Sequence, residues 1–327
     1  MLRRIVLIVA LMLTAFGALA QDAPPTPQPP QPPNPAQPPP PRQPGQAPQG
    51  NPLESHNIHI ATSADGLHWE FDTTPIREAA SVPTIIYWQD RLWIYFVNGQ
   101  SGDDFERLTA MWQDDDGNWQ EQFIELDFDG RAVDPDAMVL EDGRLRLYVF
   151  NFEVFANPRP PEERENEEPL VGYMYSIVSE DGLHFEREDG IRLESNPPTT
   201  DPSVVQLDED TWFMYVSRPQ EQTLLIAQSE DGLTFEIVGE SANGNIAGTV
   251  RLDDGRLRQY ICTLDGMKIQ ESADGLNWEL LPEDSYHTPR GCDPSVTRVG
   301  DTWYMVYKTI SLPNTPPPPP NNNGNGG

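Results

Sequence analysis

Three Asp-Pro pairs, at Asp134, Asp201 and Asp293, are the residues of this chain best suited to chemistry. Each leads an apolar run that reads as a strand. The proline fixes φ and removes a backbone donor, so each Asp is presented from a stiff turn. Gathered at one opening, three carboxylates repel one another and their pKa values spread, as acid–base work requires. The alternative is local: an Asp in a turn hydrogen-bonds nearby backbone. Asp-Pro leads only three of five related stretches, and that asymmetry points to a shared pocket.

The related stretches are internal copies. T-D-P-S-V-V-Q-L-D-E-D-T-W-F-M-Y-V-S-R at 200–218 is echoed by V-D-P-D-A-M-V-L-E-D-G-R-L-R-L-Y-V-F-N at 133–151 and C-D-P-S-V-T-R-V-G-D-T-W-Y-M-V-Y-K at 292–308. Looser copies start at Ser81 and Ala247, and intervals of roughly 45–65 residues call for a repeat architecture. A second motif alternates with the first: S-A-D-G-L-H-W at 63–69, S-E-D-G-L-H-F at 179–185, S-E-D-G-L-T-F at 229–235 and S-A-D-G-L-N-W at 272–278, with a degenerate Q-D-D-D-G-N-W at 113–119. Asp-Gly is a hairpin signal, so each marks a third and fourth strand.

Complete four-strand units span about 81–125, 133–190, 200–240 and 246–283. The last copy, from Asp293, has two strands, and the first outer hairpin, 56–71, has no inner pair before it. The missing half of one is the surplus half of the other. The expected fold is all-β: a five-bladed propeller of four-stranded antiparallel blades, closed by pairing the N-terminal hairpin with the C-terminal strands.

This geometry assigns faces. Inner strands start at the mouth of the central channel, second strands end there, and the Asp-Gly turns lie on the opposite face in structural roles. At the second-strand ends stand Asn98, Asn151, Arg218, Thr263 and Thr309, with Lys308 beside the last. Arg218 and Arg290 are candidates to hold a hydroxylated or acidic ligand; a salt bridge to a neighbour is the alternative for Arg218. Two longer loops, 98–108 and 152–169, should overhang the mouth. Glu153 opens the second and is the Glu best placed to reach the pocket. Of the five His, only His287 sits in a loop expected at the mouth, and none has ligand spacing, so no metal or cofactor is expected.

The rest of the chain sets the context. Arg3 and Arg4, the apolar run Ile5–Leu13 and Ala18-Leu19-Ala20 read as a secretory signal over 1–20. Residues 21–54 form a Pro/Gln-rich linker, 55–312 the propeller, and 313–327 a Pro/Asn/Gly-rich tail. Secretion is expected, with no membrane association after cleavage. The net charge of −31, with only two Lys, argues against nucleic acid as a partner. An exported chain permits a disulfide between Cys262 and Cys292; two buried free thiols are the alternative. A monomer is expected.

The Asp-Pro hairpins ending in W-Y-M-V-Y, alternating with S-x-D-G-L-x-W, resemble the five-bladed glycoside hydrolases of family 43 (arabinanases and xylosidases) and family 32 (levanases and invertases). The resemblance covers 56–309. The Asp-Gly hairpins are also similar to the Asp-boxes of sialidases, less one residue between Asp and Gly. The first group implies three carboxylates: an Asp base, an Asp that positions and tunes, and a Glu acid on successive blades. Asp134 and Asp201 match the first two. At the third position the chain reads G-N-I-A-G-T-V, and Glu240 lies several residues early. Glu153 or Asp293 would have to donate the proton. The expectation is a secreted carbohydrate-active propeller, most simply an inverting glycosidase; the alternative is a propeller that binds glycan or protein without catalysis.

Overall fold

The structure, a computed structural model, describes residues 51–128, 130–150 and 171–311. The described chain opens with a 3-10 turn at Pro52–Ser55, inside the stretch read as linker. Asn51 Nδ2 donates to the Gly99 carbonyl at 2.7 Å, which ties this turn to the next blade.

Strands β1 (His56–Ser63), β2 (Trp69–Phe71) and the short β3 (Arg77–Glu78) come first. Blade one is β4 (Ala80–Trp88), β5 (Arg91–Asn98), β6 (Leu108–Gln113) and β7 (Trp119–Phe123). Blade two follows β8 (Glu125–Leu126) and holds β9 (Val133–Val139), β10 (Leu145–Phe150), β11 (Gly172–Ser179), β12 (His184–Arg187) and β13 (Leu193–Ser195). Blade three is β14 (Thr200–Asp208), β15 (Thr211–Arg218), β16 (Thr223–Ser229) and β17 (Glu236–Ser241). Blade four is β18 (Ala247–Arg251), β19 (Leu257–Thr263), β20 (Gly266–Ser272) and β21 (Glu279–Leu280). The last two strands, β22 (Cys292–Val299) and β23 (Thr302–Ile310), join β1 and β2 in the order β2-β1-β23-β22. The β1–β23 ladder runs from His56↔Ile310 to Ser63↔Trp303. The protein is the expected five-bladed ring, closed by its own N-terminal hairpin.

Neighbouring blades are held at the Asp-Gly face by one repeated device. In the turn after β1, Ser63 Oγ accepts from the Gly66 amide at 3.0 Å, and Asp65 Oδ1 accepts from the Leu67 and His68 amides at 2.8 Å. The same bonds recur around Asp181, Asp231 and Asp274. These carboxylates are occupied by their own backbone, so the turns are structural. In each, the glycine carbonyl then accepts from a tyrosine of the preceding blade: Tyr95 to Gly182 at 3.0 Å, Tyr148 to Gly232 at 2.8 Å, Tyr215 to Gly275 at 2.9 Å and Tyr260 to Gly66 at 2.7 Å. The aromatic ending each motif meets that tyrosine edge-on, as Trp278 meets Tyr215 at 5.5 Å. Gly275 has φ +74°, and a Cβ there would lie 2.3 Å from the Phe213 ring. The closing blade carries Val306 in place of the tyrosine, and the next blade carries the degenerate turn at Gly117, so both halves of this latch are missing together.

Tyr215 is fully buried. Tyr215→Phe removes this donor and leaves the Gly275 carbonyl only its longer bond from Trp278 Nε1 at 3.2 Å, so we expect a loss of about 1 kcal/mol in urea denaturation. Tyr87→Phe, on an exposed ring, should leave the midpoint unchanged.

Candidate functional site

The site grows out of one backbone feature. Val82, Asp134, Asp201 and Asp293 each stand before a proline at the start of an inner strand, with φ of 49°, 51°, 49° and 51°. Pairing slips beside each of them, between Ser81 and Thr84, Thr200 and Ser203, Cys292 and Ser295, and opposite Tyr148–Phe150. Proline ordinarily drives the residue before it toward extended backbone, and a β-branched residue in the left-handed region is a true outlier. The ring therefore imposes this conformation, since Val82 adopts it as the three Asp do. Asp tolerates it better, but the backbone does not require a carboxylate. Blade four has no such residue, and its Ala247 and Gly248 pair in unbroken register.

Two residues after each left-handed position, a side chain reaches the next blade's backbone. Thr84 Oγ1 accepts from the Ala137 amide at 3.2 Å, Asp136 Oδ2 from Val204 at 2.7 Å, and Ser295 Oγ from Ile85 at 3.1 Å. Ser203 Oγ likewise accepts from the Thr249 amide at 3.0 Å. This belt of hydroxyls contains one carboxylate, Asp136.

Asp134, Asp136, Asp201 and Asp293 line one cavity with Val82, Pro83 and Ala247. Its volume is about 20 Å³, room for roughly one water. Asp293 is 3 % exposed, and its Oδ2 lies 2.5 Å from Lys308 Nζ. Burial opposes the charge on Lys308, but Asp293, then Asp201 and Asp134, outweigh it and raise the ammonium pKa. Burial, then Asp201 and Asp293, push Asp134 well above the usual carboxylate range. Burial and Asp293 raise Asp201 to about 6, against a hydrogen bond from Thr200 Oγ1 and the charge of Lys308. Burial raises Asp136 to about 7, opposed by the Val204 amide. His56 completes the edge: its Nδ1 is 2.8 Å from Ser81 Oγ, and burial and Lys308 lower its pKa.

The structure thus gathers Asp134, Asp201 and Asp293 with Lys308, which the sequence reading set beside the mouth without a role, and adds two residues it did not place there: Asp136 and His56. Alignment could have shown Asp136, because Thr84, Ser203, Thr249 and Ser295 hold the equivalent positions. Other candidates lie elsewhere. Asn98 is buried, donating from Nδ2 to the Asp104 carbonyl at 2.8 Å, and organises its own loop. Arg218 bonds Glu221 at 3.0 Å and Glu240 at 3.2 Å, so the salt-bridge alternative holds and Glu240 is engaged away from the cavity. Arg290 is exposed and outside the lining. The His287 carbonyl accepts from the Trp69 amide and its ring stacks on Phe71 at 5.4 Å, which places it against the outer strand beside the Gly66 turn rather than at the mouth. Asn151 and Glu153 lie outside the described residues. No Glu lines the cavity among the described residues.

Cys262 and Cys292 form a disulfide. They and Asp293 are the one group of metal-type donors within 4.8 Å of one another among the described residues. Both sulfurs are spent on each other, so the group does not amount to a metal site.

No family model matches the chain, and no curated protein sequence matches it. Solved structures do. A thermostable family-43 glycoside hydrolase superposes with a TM-score of 0.52 at 10 % identity, over 73 % of this chain and 89 % of that one. An exo-β-1,3-galactanase from Phanerochaete chrysosporium gives 0.47 at 11 %, over 77 % and 64 %. The Bombyx mori family-32 β-fructofuranosidase gives 0.46 at 12 %, over 78 % and 57 %. At 10 % identity the first of these likenesses supports the fold alone and leaves the chemistry to the site.

Proposed function

We propose that this is a secreted, carbohydrate-active propeller that engages a glycan at the channel mouth and hydrolyses it with the carboxylates gathered there. One observation carries the reading. Three Asp converge on a water-sized cavity from positions where Val82 satisfies the same backbone, and Lys308 pairs with one of them. A purely structural position has no use for buried like charges that raise one another's pKa.

The surroundings of the carboxylates support roles different from those the resemblance implies. Burial and the neighbouring Asp201 and Asp293 favour the protonated form of Asp134, which suits the donor to the leaving oxygen. Asp201, ionised above about pH 6, suits the base that takes a proton from water as that water adds to the anomeric carbon. The Asp293–Lys308 ion pair sets the local field. The basic and apolar N-terminus supports export.

A second reading, glycan binding without cleavage, is favoured by the absence of Glu from the cavity lining among the described residues and by a cavity too small for a sugar ring between the carboxylates. One experiment separates the two. A panel of neutral and charged oligosaccharides is assayed for new reducing ends and, in parallel, for binding by calorimetry. Hydrolysis that falls at least about a hundredfold in both Asp134→Asn and Asp201→Asn supports the first. Binding without turnover supports the second. Hydrolysis unchanged in both variants overturns the site, and no binding to any glycan overturns both readings.

A further inference from the structure

Five seams separate neighbouring blades, and the inner belt spans four of them. Thr84, Asp136, Ser203 and Ser295 bond backbone amides across blades one–two, two–three, three–four and five–one. Between β18 and β22 no such bond exists among the described residues. Thr249 holds the belt position of blade four, but its hydroxyl accepts from Ser203 Oγ at 2.9 Å and Gln259 Nε2 at 3.0 Å; beside it the two backbones approach closely, a Cβ on Gly248 lying 2.1 Å from the Pro294 carbonyl oxygen. At the mouth end of this same seam, Cys262 of β19 is bonded to Cys292 of β22. The Asp293 amide donates to Cys262 Sγ at 3.2 Å, and the Asp293 carboxylate, which lines the cavity, pairs with Lys308.

We propose that the Cys262–Cys292 bridge is the fifth closure of the belt, and that it makes the placement of Asp293 conditional on the oxidation state of the chain. The bridge anchors the backbone on the residue next to the carboxylate. No other seam has a covalent tie among the described residues, and each of the others has a belt hydroxyl or carboxylate on a backbone amide. Reduction by a dithiol breaks the S–S bond and leaves two thiols, while two electrons and two protons leave the dithiol, which becomes a disulfide. Cys262 is buried, whereas Cys292 keeps exposed surface through which a reductant can reach it. The other four seams stay closed, so the reduced chain remains folded with one loosened joint. This holds whatever ligand the mouth takes.

The test is amide hydrogen exchange on the folded chain, oxidised against reduced, with no ligand present. Exchange should rise at least about thirtyfold at the Asp293 amide and along β18 and β22, with little change at β4, β9 and β14. Where the bridge resists the reductant, Cys262→Ala/Cys292→Ala takes its place. Unchanged exchange overturns the proposal. So does an equal rise at all five seams, or a variant that loses native circular dichroism altogether, because four closures should suffice to hold the ring.

Discussion

Replacing Lys308 by methionine is expected to destabilise the chain by about 3–5 kcal/mol at pH 8, the cost of leaving a buried carboxylate without its partner. Lys308 Nζ sits 2.5 Å from Asp293, and its charge also lowers the pKa of Asp134 and Asp201. Its own pKa lies above the ordinary 10.5, so the contribution it makes is lost only in strong alkali. The penalty in the variant follows the carboxylates instead. It is largest above about pH 6, where Asp201 ionises, and shrinks as acid supplies the protons that replace the missing ammonium. Adding Asp293→Leu should recover most of the loss, since an apolar pair of similar volume substitutes well for a buried ion pair. Thermal unfolding of the two single variants and the double variant completes the cycle. A loss under about 1 kcal/mol in Lys308→Met would mean that water screens the pair.

The second large effect runs the other way. Asp136→Ser installs the group that Ser203 and Ser295 use for the same bond, and removes a carboxylate whose pKa burial raises from 3.8 to about 7. Between those values the folded chain holds a proton that the unfolded chain has released. Asp136 therefore makes stability fall as pH rises through that window, by up to about 1.4 kcal/mol per pH unit, and leaves it flat on either side. The variant should lack that slope. It should match the parent near pH 4 and exceed it at pH 8 by at most about 4 kcal/mol. Urea midpoints at half-unit intervals measure this directly; parallel curves for the two proteins would refute it. Retaining a carboxylate where a hydroxyl completes the belt in other blades sacrifices stability for something else, as functional sites do.

Much of the ring was legible because its signals are local and repeated. The half-units at the two ends required closure, and the β1–β23 ladder supplies it. The three Asp-Pro pairs were visible because each broke a pattern its neighbours kept. The left-handed backbone beneath them was not, because nothing in an isolated X-Pro step predicts a positive φ; closure of the ring overrides the local preference. The partners of Asn98 and Arg218 were not legible for a shared reason. A polar residue at a strand end can serve a ligand or its own loop, and both serve the loop or a rim carboxylate. His287 was placed by counting strands, but its loop turns back along β2. Lys308 was seen only as a neighbour, because a lone Lys in a strand carries no pattern until the three carboxylates it faces are in place.

The pairing of the first strand with the last has a mechanical consequence. Ser311 donates its amide to the Ser55 carbonyl at 2.8 Å, and Asn57 Nδ2 reaches Ser311 Oγ at 2.6 Å. The two ends of the ring thus leave from one point on the rim. Any tension drawn between them meets the antiparallel β1–β23 contacts from that end, one rung after another, instead of loading all the rungs in parallel. Such a toroid would yield to a tug by peeling at its clasp while the remaining sectors stay intact.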